Sequence, residues 1–142
     1  MDFEKYCSTA VCEYPRLCAD LQKMTERVAA KIVGSSVTSV QKRLSLSAHD
    51  NNVLKTIGVV DVSDWKITTK KGSVTFIPDG LSIGVTGRIR IETKAKNPFF
   101  KGCIFTASTA DESKWHLVTL DTSKEAKALT DEQLLEVLQS II

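Results

Sequence analysis

From Pro15 onward the apolar positions fall at Leu17, Leu21, Met24, Val28 and Ile32, in steps of four, three, four and four residues. That is the 3.6-residue period of a helix buried on one face. Cys18, Thr25 and Ala29 widen the stripe, while Arg16, Lys23, Glu26, Arg27 and Lys31 lie mostly outside it. Proline suits a first helical turn and glycine the position after the last, so Pro15 and Gly34 bracket a helix over about residues 15–33. Ahead of it, Phe3, Tyr6/Cys7, Ala10 and Val11 form a short amphipathic pattern of one or two turns.

From Ser35 the period falls to two. Val40, Leu44, Leu46 and Ala48 alternate with Gln41, Arg43, Ser45 and Ser47, the pattern of a strand with one buried face. His49-Asp50-Asn51-Asn52 is a turn cluster, a second strand runs through Val53–Val62, and Trp65 and Ile67 begin a short third one. Lys70-Lys71-Gly72-Ser73 reads as a hairpin loop and Pro78-Asp79-Gly80 as the next turn. The longest strand then carries Leu81, Ile83, Val85, Ile89 and Ile91 on one face and Arg88, Arg90, Glu92, Lys94 and Lys96 on the other. After a turn at Lys96-Asn97-Pro98, Phe99–Ala107 and Trp115–Leu120 form a final pair. A closing helix spans about residues 124–141, where Thr130 and Gln133 match a capping box and Asp131 and Glu132 suit the first turn.

The expected fold is therefore α+β, a single domain over residues 1–142. One long N-terminal helix packs on a curved antiparallel sheet of six or seven strands (about residues 36–120), closed by the C-terminal helix. At 142 residues the chain is long enough for one core without metal or disulfide staples. No apolar run reaches the roughly 20 residues that span a bilayer. The opening Met-Asp-Phe-Glu-Lys-Tyr-Cys lacks an export signal's apolar stretch, so the expected setting is intracellular and cytoplasmic, with no membrane contact.

Charge changes the picture more than composition does. The net of +2 divides into zero over residues 1–41, +6 over 42–101 and −4 over 102–142. A basic middle and an acidic tail speak to association. Arg88, Arg90, Lys94 and Lys96 share one strand face about 7 Å apart, near the spacing of successive phosphates. Lys101, Lys70 and Lys71 extend that surface, and Phe99 and Phe100 offer stacking rings, so single-stranded nucleic acid is one expected partner. Against it stand a pI near 8.3 and only 6% aromatic residues.

The chemistry of a catalytic or metal site is thin. The spacing of Cys7, Cys12 and Cys18 does not match a zinc motif, and Cys103 is remote, so free thiols and no metal are expected. His116, with Asp61, Asp64 and Glu92, is the weak acid–base set. No phosphate loop, nucleophile elbow or dinucleotide fingerprint occurs, and no cofactor is expected. The leading expectation is a non-enzymatic binding or assembly module that contacts a protein partner or a second copy of itself. Leu135, Leu138 and Ile142 are its expected interface residues, and the alternatives are nucleic-acid binding and a small pocket protein or enzyme.

Overall fold

The computed structural model describes residues 3–81, 86–95, 103–108, 115–119 and 127–142. Helix α1 (Phe3–Ala29) is followed by strands β1 (Ser36–Asp50), β2 (Val53–Thr69), β3 (Gly72–Leu81), β4 (Thr86–Ala95), β5 (Cys103–Ser108), β6 (Trp115–Thr119) and β7 (Lys127–Ala128), then helix α2 (Asp131–Ile141). Each strand pairs antiparallel with the next, giving one open meander in the order β1 to β7. The α+β expectation holds, with α1 lying on the sheet and α2 against α1 and β3.

The first correction concerns Pro15, which lies inside α1 rather than at its start. An interior proline removes one helical hydrogen bond and costs about 3 kcal/mol. The buried stripe is nevertheless continuous across it: Cys7, Ala10, Tyr14, Leu17, Cys18, Leu21, Val28 and Ala29 all face the core. Breaking the helix at Pro15 would take Cys7 and Ala10 off that stripe. The helix ends at Ala29, short of Gly34, and tight turns from Lys31 to Val28 and Ile32 to Ala29 close it. Ser35 Oγ then donates to the Ala29 carbonyl at 2.6 Å.

The β1–β2 hairpin turns on two residues only. Asn51 and Asn52 have φ of 49° and 65°, the left-handed pair that a two-residue hairpin turn requires, so His49 and Asp50 belong to β1. β2 is one strand, not two. Its buried positions step from Val60 and Val62 to Trp65 and Ile67, a three-residue interval that imitates a strand break, while pairing with β1 is regular from Gly58 to Thr68. Trp65 stacks on Phe76 of β3, ring centroids 5.2 Å apart.

Pro78-Asp79-Gly80 is likewise not a turn but a bulge within β3, where the register against β4 shifts. Proline is tolerated there because pairing of β3 with β2 stops at Phe76, leaving no ladder bond for it to donate. The expected long strand from Leu81 is therefore two: Leu81 ends β3 and pairs with Gly87 of β4. Ile83 and Val85 lie outside the described residues. At the C-terminus, Lys127–Ala128 forms β7 where a helix was expected, and α2 starts later, at Asp131. The capping box is present in full between Thr130 and Gln133.

Tyr14 fixes α1 to this bulge. Its hydroxyl donates to the Arg88 carbonyl at 2.7 Å and accepts from the Gly80 amide at 3.0 Å. The ring covers Gly87, where an added Cβ would come within 2.7 Å of Tyr14 Cδ1. Trp115 Nε1 adds a second tie, donating to the Leu17 carbonyl at 2.8 Å. Gly87→Ala is expected to destabilise the fold by about 1–3 kcal/mol through overpacking. In a denaturant cycle with Tyr14→Leu, the two costs should fall short of additive by about 0.5–3 kcal/mol, because removing the ring removes the clash. Additive costs would show that the contact is not what makes Gly87 necessary.

The two helices are clasped by Arg27, whose Nε and Nη2 reach Asp131 Oδ2 and Oδ1 at 3.0 and 2.8 Å. That hydrogen bond, with the guanidinium charge, holds the Asp131 carboxyl below its ordinary value. A carboxyl lowered by folding stabilises above its unfolded pKa and loses that contribution as pH falls through the folded one. The pair is exposed, so the effect is small. Wild type should melt slightly above Asp131→Asn at neutral pH, and the gap should close as pH falls through the carboxylate range. A gap that widened on acidification would contradict the pairing.

Candidate functional site

The basic face forms as the alternation of β4 requires, with Ile89 buried and Ile91 half-buried, packed on the core, while Arg88, Arg90 and Lys94 turn away. Its two arginines, however, are matched by carboxylates of the same chain. Arg88 Nε and Nη2 bind Asp79 Oδ1 and Oδ2 at 3.2 and 3.0 Å. Arg90 Nη1 binds Glu92 Oε1 at 2.7 Å, and its Nε lies 3.8 Å from Asp79 Oδ2. The hydrogen bond that Arg90 donates to Glu92 raises the Arg90 pKa above its ordinary value. Lys96, Phe99, Phe100 and Lys101 lie outside the described residues. Asp79 is the member that sequence reasoning missed, because a Pro-Asp-Gly triplet reads as a turn. The signal lay in the alternation of Val74, Phe76, Pro78 and Gly80, which continues through it.

The same neutralisation recurs beside α1. Lys42 Nζ lies 2.6 Å from Asp64 Oδ1 and donates to the Pro78 carbonyl at 2.8 Å, while Arg43 pairs with Asp61 at 3.4 Å. Between α1 and these strands runs an open groove of about 480 Å³, lined in part by Cys18, Gln22, Lys42, Arg43, Asp61 and Ser63. Its two cations are thus already partnered within the chain.

The weak acid–base set is not brought together. Asp61 and Asp64 are on β2 and Glu92 on β4, each engaged with its own cation, whereas His116 is on β6 between Thr106 and Ala128. Cys7 and Cys18 are buried and Cys12 is exposed. Burial pushes the Cys18 thiol up to about 12, outweighing the Tyr14 hydrogen bond and the Lys42 charge that oppose it, and burial also raises Cys7. Buried, protonated thiols are packing groups rather than nucleophiles. Among the described residues no three His, Cys, Asp or Glu side chains are placed to hold a metal ion. No described helix is long and apolar enough to cross a membrane.

Of the expected interface residues at α2, Leu138 is fully buried in this chain, whereas Leu135 and Ile142 are half-buried at the margin of the same core. Exposed apolar side chains gather elsewhere. Of the five large ones among the described residues, four belong to the β1–β2 ribbon: Val40, Val53, Leu54 and Val59. Val40, expected to face inward, is 70% exposed. Lys42, on the same side of β1, turns instead toward Asp64 and Pro78. β1 also forms one edge of the sheet, so its outer side has no strand beside it among the described residues.

No protein-family model, curated protein or solved structure matches the chain. The site therefore rests on its geometry. Asp79→Asn should release Arg88, while Arg90 stays with Glu92, and shift elution from a polyanion resin to higher salt, the newly free cation adding roughly 0.9 to the slope of log affinity against log salt. An unchanged elution position would mean that Asp79 does not mask the basic face.

Proposed function

We propose that the protein is a non-enzymatic assembly module that acts through protein–protein contacts and associates with itself, using the β1–β2 ribbon. The observation that carries this reading is that four of the five exposed large apolar side chains among the described residues, Val40, Val53, Leu54 and Val59, lie along one hairpin. Nucleic-acid binding has less support, because Arg88 and Arg90 already hold Asp79 and Glu92.

Sedimentation of the purified chain should give a mass above the 15.6 kDa of one copy that rises with concentration. Combined Leu54→Ser and Val59→Ser should weaken association by about 10-fold or more, in proportion to the apolar area removed. A single 15.6 kDa species at every concentration up to the millimolar range would overturn the reading.

A further inference from the structure

We propose that the outer face of the sheet carries a binding site for the phosphoryl group of a small phosphate monoester, built by Lys66, Ser73, Thr75 and Lys94. The site uses none of the four apolar residues of the assembly reading and stands or falls separately from it.

Strand register brings the four side chains together. Trp65, Ile67, Val74 and Phe76 are buried on the helix side of the sheet, so alternation turns Lys66, Ser73 and Thr75 to the other side, where Arg90, Glu92 and Lys94 of β4 also lie. There Thr75 stands between Lys66 of β2 and Glu92 of β4, and Ser73 stands between Thr68 and Lys94. Two hydroxyls on the middle strand thus have a lysine on each neighbouring strand, one cross-strand row (about 7 Å) apart. With Glu92 and Thr93 they line a cavity of about 410 Å³.

Ser73 makes this more than a gap between two lysines. A serine on the outer face of a sheet is ordinarily wet, yet Ser73 is only 7% exposed. Among the described residues its hydroxyl has no hydrogen-bond partner, and neither has that of Thr75. A covered hydroxyl without a partner is costly, and an oxyanion in the cavity would accept from it.

Charge chooses the ligand. Neither Lys66 nor Lys94 has a carboxylate partner among the described residues, whereas Glu92, the carboxylate on the rim, is already held by Arg90 at 2.7 Å. Two uncompensated ammonium groups beside two donor hydroxyls match a dianion with several acceptor oxygens, which is what a phosphate monoester presents. A monocarboxylate would leave one ammonium unmatched. The next cations on this face, Arg90 and Arg88, are engaged by Glu92 and Asp79, so the described residues offer one phosphoryl position and no track of free cations for a nucleic-acid strand. The cavity's volume is within the range that holds a small molecule.

The test is an NMR titration of the isotope-labelled chain with glycerol phosphate at low salt. Amide shifts should concentrate at Lys66, Ser73, Thr75 and Lys94 and saturate, and glycerol alone should produce none. Lys66→Gln and Lys94→Gln should each raise Kd about 10-fold, and Ser73→Ala about 5-fold. Lys23→Gln, the same charge change on the exposed side of α1, should leave Kd within about 2-fold. Glu92→Gln should tighten binding several-fold, a gain that damage to the fold would not give. Shifts scattered over all exposed lysines, or equal weakening by Lys23→Gln and Lys66→Gln, would mean a diffuse ion atmosphere and overturn the site. An unchanged Kd in Ser73→Ala would overturn it too. A single-stranded oligonucleotide that bound this face more tightly than glycerol phosphate would overturn the single-group ligand in favour of a strand.

Discussion

The helix is seated on the sheet at one place, the bulge in β3, and the rest of the molecule is arranged around that contact. Tyr14 satisfies both a buried N–H at Gly80 and a part-buried C=O at Arg88, a pair that sits where the β3–β4 register shifts. Each would cost about 1–3 kcal/mol if left without a partner. Burial also drives the phenol pKa far upward, so the hydroxyl remains a donor at any ordinary pH. The bulge acts on the other face as well. Asp79 carries its carboxylate to Arg88 and Arg90, while the Pro78 carbonyl receives Lys42 from β1. One irregular step in one strand thus fixes the helix, pairs Arg88 and draws in Lys42 from the edge strand.

Pro15 belongs to the same arrangement. Tyr14 must reach the bulge while Leu17, Leu21 and Val28 fill the core further along, and only an unbroken helix puts all of them on one stripe. Fully burying a side chain of leucine or valine size contributes about 1.5–3 kcal/mol. Tyr14 before the proline, with Leu17, Leu21 and Val28 after it, outweighs the roughly 3 kcal/mol that an interior proline costs. Arg16 bridges Glu13 and Asp20 on the exposed side of the same segment, a contribution that is small by comparison.

This explains which features could be read from the sequence. The stripe from Leu17 to Val28, the Asn51-Asn52 turn and the Thr130–Gln133 cap are determined by neighbours a few residues apart, and each could be read locally. Pro15 and Pro78 were misplaced because proline signals a boundary in isolation, and only distant partners (Tyr14 with Gly80, Lys42 with Pro78) reveal that the element continues. The basic stripe was legible as a row of cations on β4. The pairing of its arginines was not, since Pro-Asp-Gly in isolation spells a turn and hides Asp79 as their partner. Val40 was given to the core by alternation, yet how far a helix covers a strand is a property of packing and not of period.

The same ion pairs that quiet the surface also bear on the edge. Sheet edges are ordinarily guarded by charged side chains that resist pairing with another strand. β1 has Lys42 and Arg43 in that position, but Lys42 is drawn to Asp64 and the Pro78 carbonyl, and Arg43 lies beside Asp61. Cations with partners of opposite sign repel an approaching copy less than free ones do. Protection of this edge is therefore weakest between Ser36 and Gln41, where neither charge nor proline intervenes and Val40 stands exposed. The bulge that seats the helix thereby also engages Lys42 of β1, the strand whose outer side has no neighbour among the described residues.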